Sequence, residues 1–105
     1  MNKNIKIYRL KHKATGLYYK PGSKNNLSES GKIYTTPQNL LTIIGNNNCE
    51  ILYVINKKLL KKYKDKFENC GFINSKDSNG DITMWSQYCK KDDFEKETLT
   101  ILGNE

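Results

Sequence analysis

The sequence predicts a single small α+β domain over residues 1–105: an N-terminal antiparallel β-meander plus one short and one longer amphipathic helix, the latter at about 57–69, packed on a mostly antiparallel sheet. Three observations predict it. Strand-forming runs separated by turn residues fill the first third; a helical apolar period runs from Lys57 to Asn69; and short β-branched segments return after Asn79-Gly80. A chain of 105 residues has room for one core. Leu, Ile, Val and Phe together are scarce, so that core is small and the domain marginal.

The elements follow from local chemistry. Ile5, Ile7, Tyr8 and Leu10 are strand formers, Ala14-Thr15-Gly16 supplies a turn, and Leu17 to Lys20 returns as the second arm of a hairpin. Pro21-Gly22-Ser23 opens a polar connection, after which Lys32-Ile33-Tyr34-Thr35 reads as the third strand of the meander. Thr36-Pro37 is a favourable helix start, with a side-chain acceptor at the cap, and Gly45 closes a short helix. Cys49 to Ile55 is the most apolar run in the chain and is expected as a central strand buried on both faces.

Asn56 caps the longer helix and Gly71 stops it. At about 100° per residue, Leu59, Leu60, Tyr63, Phe67 and Cys70 share one stripe, while Lys57, Lys61 and Lys64 lie opposite. Asn79-Gly80 marks a hairpin turn, Ile82 to Cys89 a strand, Asp92 to Glu95 a turn at capping-box spacing, and Thr98 to Leu102 a last strand.

Charge is laid out in blocks within a net +7. Residues 1–32 carry eight basic side chains against Glu29, and 57–68 carry six lysines against Asp65 and Glu68; the last 37 residues are acidic, with seven carboxylates against four lysines. A cationic front favours an acidic partner, because clustered ammonium groups concentrate anions and speed encounter. All but one of the cations are Lys, beside thirteen Asn and a single Val, a usage that AT-rich codons also produce. Lys holds phosphate as a point charge but does not read guanine edges as Arg does, so sequence-specific reading of a DNA groove is not expected.

Motifs of known chemistry are broken. Gly16 to Lys24 has the wrong glycine spacing for a phosphate loop, and Asp77 to Asp81 lacks the late bidentate acid of a calcium loop and reads as a hairpin turn. Cys49, Cys70 and Cys89 stand 21 and 19 residues apart rather than in close pairs, so no metal ligand is assigned. Their odd number, without a visible export signal, fits reduced thiols in a cytoplasm. His12, flanked by Lys11 and Lys13, is expected at the surface of a basic strand. No apolar run approaches the roughly 20 residues of a membrane helix, so no membrane partner is expected. No cofactor and no catalytic residue is assigned.

The binding candidates are Lys6, Tyr8, Arg9, Lys11, Lys13, Tyr18, Tyr19 and Lys20 on the N-terminal strands, where tyrosines beside cations suit stacking on bases while holding phosphates, and Lys57, Lys61 and Lys64 on the helix. Tyr34 belongs to the same aromatic set. Ordinary roles compete: sheet tyrosines with one wet end, and the solvated face of an amphipathic helix.

The run YRLKHKATGLYY from Tyr8 to Tyr19, continued by NLSESGKIYTTP from Asn26 to Pro37, resembles the opening of small accessory proteins encoded by tailed bacteriophages. The resemblance covers about the first 40 residues and implies a phage or prophage origin, with no settled catalytic site to carry across. Such proteins commonly act by binding. The expected function is therefore a non-enzymatic inhibitor of a host defence system, such as a CRISPR effector, acting in the host cytoplasm. It would occlude a site on a host defence protein or ribonucleoprotein, as a monomer or a homodimer. Direct non-specific binding of DNA or RNA is the alternative, and a small nuclease a third possibility.

Overall fold

The computed structural model describes residues 4–21, 25–36 and 51–102, and among them it is an α+β fold as expected, with every strand pairing antiparallel. Strands β1 (Asn4–His12), β2 (Tyr18–Tyr19), β3 (Leu27–Ser28) and β7 (Phe94–Leu102) form one sheet in the order β3-β2-β1-β7. Strands β4 (Ile51–Val54), β5 (Ile73–Lys76) and β6 (Ile82–Tyr88) form a second in the order β4-β6-β5. Helices α1 (Lys57–Lys62) and α2 (Lys64–Asn69) follow β4.

The first hairpin forms where the sequence placed it, with His12 N–H donating to Leu17 O at 2.7 Å and Gly16 N–H to His12 O at 2.8 Å. The third strand of the meander differs from expectation. It is Leu27–Ser28 that pairs with β2, while Tyr34 makes only a single bridge to Tyr8, along the edge of β1 that the two-residue β2 leaves open. The reason lies at Gly31, which has φ +64° and donates its N–H to Ser28 Oγ at 2.7 Å. A Cβ there would run into Tyr18 Cβ, so only glycine lets the chain reverse this close to β2.

The last strand is longer than the expected Thr98–Leu102. It pairs with β1 over nine positions, from Asn4 opposite Leu102 to His12 opposite Phe94. Extension is favoured because opposite charges meet across the ladder, Arg9 facing Glu97 and Lys11 facing Glu95. The turn before it is a 3-10 turn, Lys91–Asp93, with Lys90 at its cap and no side-chain cap bond, instead of a capping box from Asp92 to Glu95. Phe94 enters the core at 2% exposure and Glu95 already belongs to the strand.

Strand β4 is an edge strand buried on one face, not a central strand buried on both: Leu52 and Val54 face the core and Ile51 and Tyr53 do not. Its outer edge is closed by the buried Asn26, whose side chain imitates a peptide group. Asn26 Nδ2 donates to Ile51 O at 2.9 Å, Oδ1 accepts from Tyr53 N–H at 2.8 Å, and its backbone N–H donates to Tyr53 O at 3.1 Å. One polar residue thereby joins the two sheets. The expected short helix from Pro37 to Gly45 lies outside the described residues, as do Cys49 and Glu50.

Asn56 caps α1 as expected, Oδ1 accepting from Lys58 and Leu59 N–H. The single helix of the sequence reading is broken at Tyr63 (φ −108°, ψ 14°), although Tyr63 N–H still reaches Leu59 O and Phe67 N–H still reaches Tyr63 O. Lys62 Nζ and the Tyr63 hydroxyl both donate to Glu29 Oε2, at 2.7 and 3.1 Å, tying the break to the loop after β3. Leu59, Leu60 and Phe67 are buried as the stripe predicts, with Tyr63 and Cys70 packed at its margin. Trp85 fills the space between helices and sheet, and its indole N–H donates to Leu60 O at 3.2 Å. The β5–β6 turn is held by Asp77 Oδ1, which accepts from Asn79 and Asp81 N–H.

Asn26→Ala removes a donor and an acceptor from buried backbone partners, so it is expected to destabilise the chain by about 2 kcal/mol, read as a lower urea midpoint at unchanged slope. A change below about 0.5 kcal/mol would show that the sheets do not depend on it.

Candidate functional site

The basic residues of β1 do not form one free cationic face. Alternation turns Tyr8, Leu10 and His12 to the core and places Arg9 and Lys11 on the other face, opposite the acids of β7. There Arg9 Nη2 donates to Glu97 Oε1 at 2.6 Å, the Tyr18 hydroxyl donates to Glu97 Oε2 at 2.7 Å, and Lys11 Nζ lies 4.0 Å from the same oxygen. The Arg9 guanidinium also stacks over the Tyr18 ring, 3.8 Å from its centroid. Partial burial pushes the Glu97 carboxyl up, but the Tyr18 hydroxyl and the Arg9 and Lys11 charges together hold it below its ordinary value. Burial, with the bond to Glu97, raises the Tyr18 phenol.

The tyrosines expected to stack on a ligand are mostly enclosed. Tyr8 and Tyr19 are 8% and 5% exposed, Tyr19 sits edge-on to Phe94, and Lys96 lies over the Tyr8 ring. Tyr34 is half-buried beneath Lys32. Lys6, Lys13 and Lys20 are exposed and are not drawn into the Glu97 cluster. Glu97 was legible only as part of an acidic tail; what the sequence did not reveal is its register opposite Arg9.

Lys57, Lys61 and Lys64, by contrast, come together. With Lys58 they line one side of a groove of about 880 Å³ between the helices and the β5–β6 turn. Asp77, Gly80, Asp81 and Thr83 form the facing side, and Ile55, Leu60 and Ile82 supply the apolar part. Lys64 is 3.8 Å from Glu68 one turn on, whereas Lys57, Lys58 and Lys61 make no ion pair among the described residues. The Asp77 Oδ1 is already taken by the Asn79 and Asp81 N–H groups, so Asp77 serves the turn, while Asp81 adds a carboxylate to the groove wall. The lining thus sets four ammonium groups against two carboxylates around an apolar strip, which leaves its local charge positive.

His12 is a correction to the sequence reading. It is 1% exposed rather than a surface residue, because its position on β1 shares the inward parity of Tyr8 and Leu10. Its ring lies edge-on to Phe72 and Phe94, with centroids 5.7 and 5.1 Å away, and Nδ1 is 2.9 Å from the buried Thr15 Oγ1. Thr15 Oγ1 also accepts Leu17 N–H, so the pair pins the first hairpin turn. The His12 ring is thereby closed off from solvent. Burial also raises the Cys70 thiol, which keeps it protonated and a poor nucleophile. Among the described residues no group of three His, Cys, Asp or Glu is placed to hold a metal ion, and no helix is long and apolar enough to cross a membrane.

No family model, curated protein or solved structure matches the chain. The groove and its surroundings must therefore be interpreted from their own chemistry.

Burial drives the His12 pKa down, opposed by the Asp93 carboxylate. The unfolded chain binds a proton near the ordinary value of about 6.5 that the folded chain refuses, so stability is lost as pH falls below that value. The urea midpoint is expected to drop between about pH 7.5 and about pH 5.5, and His12→Asn to flatten this dependence whatever its own effect on stability. An equally steep dependence in the variant would place the titrating group elsewhere.

Proposed function

We propose that the chain is a non-catalytic, phage-encoded binding protein that blocks a host defence system in the host cytoplasm by docking its lysine-lined groove on an acidic surface of the target. The observation that carries this is the convergence of Lys57, Lys58, Lys61 and Lys64 around an apolar strip in one groove. Inhibitors that imitate DNA are acidic, whereas this chain has a net charge of +7; its complementary surface is an acidic protein patch or the backbone of a bound guide RNA. The resemblance of Tyr8 to Tyr19 and Asn26 to Pro37 to phage accessory proteins supports the phage origin in this reading. Electrostatic steering speeds encounter, and the apolar part of the groove slows release.

The reading is tested by efficiency of plating. Expressed in a host with an active CRISPR system, the chain is expected to raise plating of a targeted phage. The triple variant Lys57→Glu, Lys61→Glu, Lys64→Glu should reduce that gain by roughly tenfold or more at unchanged melting temperature, since like charges facing an acidic surface cost several kcal/mol. Equal protection by the variant would remove the groove from the mechanism, and no effect of the wild-type chain would remove the defence-inhibitor reading.

A further inference from the structure

Among the described residues, one face of the second sheet is half-buried at its middle and exposed at Ile73 and Tyr88. Leu52, Val54 and Trp85 point to the core, while the opposite face carries Ile51 and Tyr53 from β4, Ile73 and Ser75 from β5, and Met84, Ser86 and Tyr88 from β6. Ile73 and Tyr88 are 72% and 74% exposed, the largest exposures among the large hydrophobic side chains of the described residues. Among the described residues no charged side chain interrupts this set, and none of it lines the lysine groove.

We propose that this face is a stacking platform for single-stranded nucleic acid, with Tyr88 and Tyr53 as the two ring positions. The register places Tyr53 opposite Ser86 and Ile51 opposite Tyr88, so the tyrosines are diagonal neighbours, about 7–8 Å apart at Cα. That pitch suits successive bases of an extended strand, each lying on one ring, as on other sheets whose exposed aromatics bind unstacked bases. Ser86 between them offers a hydroxyl to a base edge. Lys90 has extended backbone and follows Tyr88 by two residues, the spacing that keeps a side chain on the same side of a strand. Exposed and without an ion pair among the described residues, it is placed to meet the adjoining phosphate.

Two further arguments select this occupant over a second copy of the chain. Three strands at about 4.8 Å and five residues at about 3.4 Å give a face on the order of 250 Å². A stable protein interface takes roughly 800 Å² from each partner. Two copies each carrying +7 also repel one another, whereas a polyanion is attracted.

The test is fluorescence anisotropy with short labelled oligo(dT) and oligo(U) at low salt. Tyr88→Ala and Tyr53→Ala are each expected to weaken binding by roughly 5- to 150-fold, the loss of one stacked base. Tyr88→Phe, which keeps the ring, should stay within about twofold. Because Tyr88 is so exposed, its truncation leaves the fold intact, which a melting curve checks. The proposal is overturned by unaltered affinity in Tyr88→Ala, by no binding of either oligonucleotide, or by a blunt duplex binding equally well. It also fails if only the groove triple variant loses affinity, which would put the strand among the helix lysines. A wild-type dimer in sedimentation that Tyr88→Ala splits would instead assign the face to a second copy.

Discussion

Strands β1 and β7 bring residues 88 positions apart, Arg9 and Glu97, into a bond of 2.6 Å, and the rest of the molecule is arranged by that closure. On its inner face the ladder presents Tyr8, Leu10, His12 and Phe94 to the core. On its outer face it sets the basic front of the chain against the acidic tail. The charge asymmetry that is so visible along the sequence is thus partly cancelled within the sheet. Positive potential available to a partner shifts to the helix lysines, where it meets an apolar strip.

Because so few large apolar residues are present, buried polar groups carry much of the specificity. Asn26 supplies the edge of β4 with the hydrogen bonds that a neighbouring strand would otherwise give, and Thr15 fixes both the His12 ring and the Leu17 N–H. Each is satisfied only in one arrangement of the backbone, so each selects a register as well as adding stability. Glu29 does the same at the surface, where Lys62 and Tyr63 hold its carboxyl below the ordinary range. That contact lies at the helix break beside which the groove opens.

Local signals were readable wherever one residue determines the backbone. Asn56 as a cap, Gly71 with φ +88° past the helix end, the Asn79-Gly80 turn and the stripe of Leu59, Leu60 and Phe67 all lie where the sequence put them. Signals that depend on distant partners were not. Leu27–Ser28 is too short for alternation to mark it, and β5 has only Ile73 as an apolar residue. His12 looked exposed because both neighbours are lysines, yet parity along β1, not the neighbours, decides burial. For the site, Lys57, Lys61 and Lys64 were recognisable from helical spacing, while the turn that makes their face a groove was not. The tyrosines of the first sheet are largely enclosed, whereas the exposed Tyr88 and the half-buried Tyr53 sit on a sheet whose register no local pattern reveals.

On the proposed reading the helix lysines, and not Arg9 and Lys11 of β1, receive an acidic partner. Backbone amide chemical shifts recorded while a polyglutamate peptide is added test it directly. Selective, saturable shifts at Lys57, Lys58, Lys61, Lys64 and residues 80–83, with Arg9, Lys11 and Tyr18 unmoved, are the result this account requires. Shifts concentrated on β1 and β2, with the helix and turn silent, would contradict it.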